Sequence, residues 1–135
     1  MTKAARTFAL PIQVYYEDTD AGGIVYHANF LKFAERARTS WLHAIGWPPR
    51  RVQEDLHIQF VVKHIEIDYR NPGFLDDKIT ATCTLENIGN SSITFEQLIE
   101  RDKTVLAALK VVCVTINAKG RPIRVPPQLR QIFGA

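Results

Sequence analysis

The sequence predicts an α+β fold in which a curled antiparallel sheet of about five strands wraps around one long α-helix. Three observations predict it. An alternating segment opens the chain, with Phe8, Leu10, Ile12, Val14 and Tyr16 separated by polar or small residues. One amphipathic stretch follows, in which Phe30, Phe33, Ala34, Ala37, Trp41, Ala44 and Ile45 recur at spacings of three and four. From Ile58 to Ile116 the apolar residues then keep a period of two, interrupted only by turn residues. Strand, helix, then four strands joined by hairpins leaves one helix to cover the apolar face of one sheet.

The opening alternation has the pattern of a half-buried strand, and Pro11 within it favours an edge position or a late strand start, because proline cannot donate to a ladder on both sides. Glu17 to Val25 forms a loop in which Gly22-Gly23 permits positive φ and close approach of backbone or ligand. Asn29 is an acceptable N-cap for the helix, without a capping box because Lys32 stands at the third position. Lys32, Glu35, Arg36, Thr39 and His43 fall mostly on the side opposite the apolar stripe, and Gly46 with Pro48-Pro49 ends the helix. Leu31 and Leu42 lie outside the stripe, as expected of a helix wrapped by a sheet.

A polar connection leads to Ile58, Phe60 and Val62, after which Ile65, Ile67 and Tyr69 alternate in the other phase. A bulge near Val62-Lys63-His64 accounts for the slip. Asn71-Pro72-Gly73 is a turn signal, Ile79 to Leu85 the next strand, and Gly89-Asn90 a hairpin loop. Ile93 and Phe95 open a further strand, Asp102-Lys103 turns it, and Val105 to Ile116 is a long apolar one closed by Asn117-Ala118-Lys119-Gly120. Pro126-Pro127 starts a short terminal helix through Phe133. No repeat, low-complexity segment or linker appears, so residues 1–135 are expected to form one domain.

Composition excludes several function classes. With 46% hydrophobic residues in 135, the chain has material for a real core. A formal charge of +3 without a Lys/Arg run argues against nucleic acid and suits an anionic small ligand. Cys83 and Cys113 have no nearby second ligand, so neither a zinc site nor a disulfide framework is expected, only buried thiols in a reducing compartment. Pro11 stops Phe8-Ala9-Leu10 from forming a signal-peptide core, and no apolar run approaches the ~20 residues that span a bilayer. A cytoplasmic protein without membrane insertion is expected. His57 and His64 have no metal spacing and are expected at the surface.

Chemistry concentrates where the first strand meets the helix, in Glu17-Asp18-Thr19-Asp20-Ala21-Gly22-Gly23-Ile24-Val25-Tyr26-His27-Ala28-Asn29-Phe30. Carboxylates beside glycines at such a junction form turns, bind cations, or face a helix N-terminus where a carbonyl is polarised. Taken alone, Asp18 and Asp20 are turn formers, and Tyr16 continues the apolar alternation. The Glu35/Arg36/Arg38 cluster is a solvated or intersubunit ion-pair face. With Phe33, Glu35, Arg36, Ala37 and Arg38 behind it, however, the ordered segment resembles the 4-hydroxybenzoyl-CoA thioesterase branch of the hotdog fold. Within that branch it is most similar to the short acyl-CoA thioesterases encoded beside the bacterial Tol–Pal genes.

That resemblance implies an acyl-CoA thioesterase. Asp20 matches the family's catalytic carboxylate, His27 the histidine at the helix start, whose backbone N–H polarises the thioester carbonyl, and Tyr16 a tyrosine near the site. Asp18 is left a structural role. Gly23, Ile24 and Val25 would border the substrate, and Glu35 would line the acyl pocket. Relatives grip coenzyme A phosphates with basic residues in the hairpin that here reads Asn87-Ile88-Gly89-Asn90-Ser91-Ser92. Ser91 and Ser92, backbone N–H groups, or Lys63 or Arg124 would have to serve instead. No metal and no cofactor beyond the substrate's coenzyme A is implied. Acyl-CoA, with acyl carrier protein as a second candidate, is the expected partner, in a homodimer or homotetramer with sites at the interface. The alternatives are a non-catalytic adaptor that binds acyl carrier protein or acyl-CoA in cell-envelope or lipid metabolism, and an enoyl-thioester hydratase.

Overall fold

Alternation in the sequence becomes alternation in burial. In the computed structural model, which describes residues 7–133, strands β1 (Thr7–Gln13), β2 (Gln59–Tyr69), β3 (Lys78–Ile88), β4 (Ser92–Arg101) and β5 (Thr104–Ile116) form one antiparallel sheet in the order β1-β3-β4-β5-β2. Ile79, Ala81, Cys83 and Leu85 of β3 are buried, while the threonines between them face outward. Helices α1 (Asn29–Ala44), α2 (Pro49–Leu56) and α3 (Pro127–Phe133) complete the fold. The long helix α1 lies on the concave face and buries Phe30, Phe33, Ala34, Ala37 and Trp41 of the expected stripe, whereas Ala44 at its end is exposed and Ile45 half-buried. This is the hotdog arrangement.

Several local expectations hold for the reasons given. Pro11 lies in an edge strand, since β1 pairs only with β3. The β2 register shifts between Val62 and His64, where the phase slips. Gly46 takes φ +86°, and the Trp47 N–H donates to the Leu42 carbonyl at 2.9 Å, closing α1 as Gly-terminated helices close.

Three details differ. The first strand ends at Gln13, and Tyr16 begins a 3-10 turn (Tyr16–Asp18) because Asp18 turns back on Tyr15. The connection after α1 contains α2, which carries little apolar periodicity. Its cues are Pro49 at the first helical position, Val52 and Leu56 four apart, and an Arg51–Asp55 pair at 3.2 Å. Finally, β2 does not form a hairpin with β3: it lies at the far edge, and residues 70–77 cross the sheet end to reach β3. Arg70 and Asn71 N–H groups donate to the Leu106 carbonyl at 2.8 and 3.1 Å along the way. Among the described residues no helix is long and apolar enough to cross a membrane.

Candidate active site

The junction is a small hairpin built by its own polar residues. Thr19 and Val25 form an isolated bridge, and beyond it the Asp20 N–H donates to the Ile24 carbonyl at 2.9 Å. The Gly23 N–H returns to the Asp20 carbonyl at 3.1 Å, with Gly23 at φ +78°, a conformation that favours glycine. The crossing loop after β2 holds this hairpin from behind. The Val25 N–H donates to the Gly73 carbonyl at 2.8 Å, the Leu75 N–H to the Gly23 carbonyl at 3.1 Å, and Ile24 bridges Phe74. Arg101 braces that loop through Asp77 at 2.8 Å and the Pro72 carbonyl at 3.1 Å. None of these loop partners is visible from the hairpin's own sequence.

The two aspartates have opposite surroundings. Asp18 is 2% exposed; one oxygen accepts the Tyr15 N–H and the other the Asn29 side-chain amide, both at 3.0 Å. It ties the end of the first strand to the start of α1, the structural role left to it by the sequence. Asn29 is therefore the first residue of the helix with its side chain turned inward, and Ala28 occupies the cap position expected of Asn29. Asp20 is exposed, and among the described residues only the Gly22 N–H, at 2.9 Å, reaches its carboxylate. A carboxylate with one oxygen engaged and one open can bind, attack or accept a proton.

His27 is exposed at the helix start, its ring 4.5 Å from that of Tyr26. The Tyr26 carbonyl accepts the Asn29 N–H at 2.8 Å. The N–H groups of His27 and Ala28 meet no acceptor among the described residues. Two consecutive free donors at the positive end of a sixteen-residue helix suit a developing oxyanion. Tyr16 is 81% exposed and its ring makes no contact with Asp20 or His27; its carbonyl accepts the N–H and hydroxyl of Thr19 at 3.0 and 2.8 Å. Gly23, Ile24 and Val25 share the hairpin with Asp20, with Ile24 exposed and Val25 buried.

A cleft of about 660 Å³ opens elsewhere, between the second half of α1, α2 and the starts of β2 and β4. Glu35, Arg38, Thr39, Phe60, Val62 and Phe95 contribute to its lining, whereas Asp20 and His27 do not. Among the described residues of its own chain Arg38 meets no carboxylate: its guanidinium donates to Gln97 at 2.8 Å, and the buried Gln97 amide donates in turn to the Ala34 and Thr82 carbonyls at 2.9 and 3.2 Å. Cys113 also lines the cleft; burial pushes its thiol and that of Cys83 up, outweighing the opposing effect of Arg38, so both stay protonated and poorly nucleophilic.

Ser91 and Ser92 form the β3–β4 turn, at the end of the sheet opposite Asp20 in the same chain. Arg124 joins them there by donating to Asn90 at 2.8 Å. Lys63 stands exposed at the β2 bulge. Among the described residues no three His, Cys, Asp or Glu side chains gather where they could hold a metal ion.

Comparison with known proteins places this geometry. The family model for the thioesterase-like superfamily matches residues 14–133. The acyl-CoA thioesterase YbgC of Haemophilus influenzae is 39% identical over 128 residues, covering 93% of each chain. A probable thioesterase from Bartonella henselae superposes with a TM-score of 0.86 at 31% identity, over 89% of this chain and 99% of that one. A 4-hydroxybenzoyl-CoA thioesterase in complex with 4-hydroxybenzoyl-CoA shares the fold, with a TM-score of 0.88 at 17% identity over 96% and 99% of the two chains. The chain belongs to the thioesterase-like superfamily of hotdog-fold proteins.

Proposed function

We propose that this protein is a cytoplasmic enzyme that hydrolyses acyl-CoA thioesters to the free acid and coenzyme A, with Asp20 as its catalytic carboxylate. The observation that carries this reading is one short segment holding both an open carboxylate and two unpaired backbone donors, in a chain similar end to end to an acyl-CoA thioesterase. As the thioester carbon is attacked, charge grows on its oxygen, and fixed N–H groups at a helix start stabilise that charge without reorganising. Asp20 either attacks the carbonyl carbon, expelling the coenzyme A thiolate and leaving a mixed anhydride that water opens, or deprotonates the attacking water. His27 is placed to orient that water or to supply the proton the thiolate takes up. The scheme requires no cofactor beyond the coenzyme A of the substrate.

The acyl group belongs to the cleft of a second copy. Strand β2 is a free edge, with Val61, Val62 and Tyr69 exposed along or beside it. Antiparallel pairing of two such edges about a two-fold axis brings the end of one β2 to the start of the other. The end of β2 is next to its own His27, and the start of β2 is where the cleft opens. Asp20 and His27 of one protomer thus face the cleft, Glu35, Ser91 and Ser92 of its partner, in a homodimer that can pair again to a tetramer.

The test is thiol release from short, long and aromatic acyl-CoAs and from acyl carrier protein thioesters, with the wild type and Asp20→Asn in parallel. The expected result is turnover by the wild type and a loss of at least ~10² in kcat for a folded Asp20→Asn. Binding of acyl-CoA or acyl carrier protein without any thiol release would overturn the enzyme in favour of a binding adaptor. One turnover in ¹⁸O-water bears on the two roles of Asp20: general-base catalysis labels the product acid and leaves Asp20 unlabelled, whereas direct attack followed by opening of the anhydride at the Asp20 carbonyl carbon places the label in Asp20 and leaves the first product acid free of it.

A further inference from the structure

The turn into α1 receives one bond from far away in sequence. The hydroxyl of Tyr69, the last residue of β2, donates to the backbone carbonyl of His27 at 3.0 Å. A peptide group is planar and trans, so the His27 carbonyl and the Ala28 N–H form one rigid unit and point in opposite directions. Whatever holds the carbonyl aims the N–H. Among the described residues the only other donor to that carbonyl is the Phe30 N–H at 3.4 Å, a long contact at the limit of a hydrogen bond. The preceding peptide is held in the same manner by the Asn29 N–H on the Tyr26 carbonyl at 2.8 Å, which leaves the His27 N–H facing away. Both free donors therefore have their carbonyls fastened, one by the helix and one by Tyr69.

The tyrosine is itself fastened. Its ring meets Phe30 edge-on at 5.7 Å and His27 at 6.2 Å with planes 89° apart. Phe30 is buried in the core, so the phenol is aimed through packing that extends under α1. Partial burial raises the phenol above its ordinary value of 10.0, so the hydroxyl keeps its proton at neutral pH and remains a donor. A bond donated to a peptide carbonyl also polarises that peptide and strengthens its N–H as a donor.

We infer that Tyr69 is a positioning residue for thioester hydrolysis, its hydroxyl fixing the His27–Ala28 peptide so that the Ala28 N–H stands beside the His27 N–H as the second donor to the thioester oxygen. This rests on the thioesterase reading of the Asp20 hairpin, and it assigns a role to a residue of β2 outside the junction motif. The two donors act on charge present only in the transition state, so Tyr69 serves kcat and not ground-state binding.

Tyr69→Phe keeps the ring packing and removes only the hydroxyl. The expected result is a fall of about tenfold in kcat, below the ~10²–10³ of losing an oxyanion donor outright because the Ala28 N–H remains but is less well aimed. KM should stay within about twofold, with an unchanged kcat–pH profile, melting temperature and oligomeric state. Independently of activity, the Ala28 amide cross-peak should shift, while those of β4 and β5 stay in place. An unmoved Ala28 amide, an unchanged kcat, or a loss confined to KM or to stability would overturn the assignment. A wild type without thioesterase activity would overturn the function itself, and the Ala28 amide would still report whether Tyr69 holds the peptide.

Discussion

Replacing Asp18 by asparagine tests whether the two aspartates of the hairpin divide structure and chemistry as their surroundings indicate. Asp18 is buried and receives the Tyr15 N–H on one oxygen and the Asn29 amide on the other, each at 3.0 Å. Asparagine has one oxygen and one NH₂, so in either orientation a buried N–H is forced against a donor. An unsatisfied buried donor costs about 1–3 kcal/mol, and the surviving bond weakens because it no longer ends on a charge. The sum is about 2–4 kcal/mol. At roughly 3–6 °C per kcal/mol for a chain of this size, the melting temperature falls by about 6–24 °C. Asp20→Asn, by contrast, keeps an oxygen for the Gly22 N–H at 2.9 Å and changes an exposed site, so it should melt within about 2 °C of wild type. Thermal unfolding by circular dichroism at fixed protomer concentration and neutral pH measures both, fixed because an oligomer's melting depends on concentration. An Asp18→Asn protein as stable as wild type, or an Asp20→Asn protein as unstable as Asp18→Asn, would refute the division.

A Cβ on Gly73 would lie 3.0 Å from Val25 Cγ2 and 3.4 Å from Leu106 Cδ1, so Gly73→Ala should cost about 1–3 kcal/mol and, by shifting the hairpin through the Val25–Gly73 bond, lower kcat; unchanged melting and kcat would contradict it. The raised thiols of Cys83 and Cys113 keep their protons in the folded chain when the unfolded chain releases them, so their contribution is complete below the ordinary value of 9.0 and declines above it. Urea midpoints should therefore fall from pH 8 to pH 10, less steeply in Cys83→Ala, and equal slopes would remove the thiols from the account. Coexpressing Asp20→Asn with a cleft-blocking Thr39→Phe should restore activity to about a quarter of wild type in randomly paired dimers, because each hybrid assembles one intact site across its interface. Restoration absent from demonstrated hybrids would place the whole site within one protomer.

What could be read in the sequence was whatever its own neighbours determine. The β2 bulge shows as a phase slip at Lys63, the helix end as Gly46, the edge strand as Pro11. Asp20 is singled out by an ordered motif, not by its spacing alone, since Asp18 is an equally good turn former and only burial separates them. Helix α2 escaped because a short surface helix needs few apolar residues, and only Val52 of its eight is buried. Asn29 was misassigned as a cap because its partner, Asp18, is reached only when the hairpin folds back. Tyr69, Gly73 and Gln97 act across 42, 48 and 63 residues, on His27, Val25 and Ala34, and no local pattern encodes such pairings.

The pairings of Tyr69 and Gly73 share one cause, the passage of β2 to the far edge of the sheet. A β2–β3 hairpin would have left residues 70–77 as a tight surface turn, with nothing behind the Asp20 hairpin. Because β2 lies beside β5 instead, the chain must run across the ends of β5 and β4 to reach β3, and that crossing supplies the Gly73 carbonyl to Val25 and the Leu75 N–H to Gly23. The same displacement carries Tyr69 to the helix start, where it bonds His27. The Asp20 hairpin and the His27–Ala28 peptide are thus each fixed by consecutive parts of one connection, the first by the loop and the second by the strand that precedes it. A hairpin with an exposed tip and two glycines would otherwise sample many conformations at little cost. Here the backbone positions of Asp20 and His27 are set by the β-sheet, so the site forms only when the sheet does.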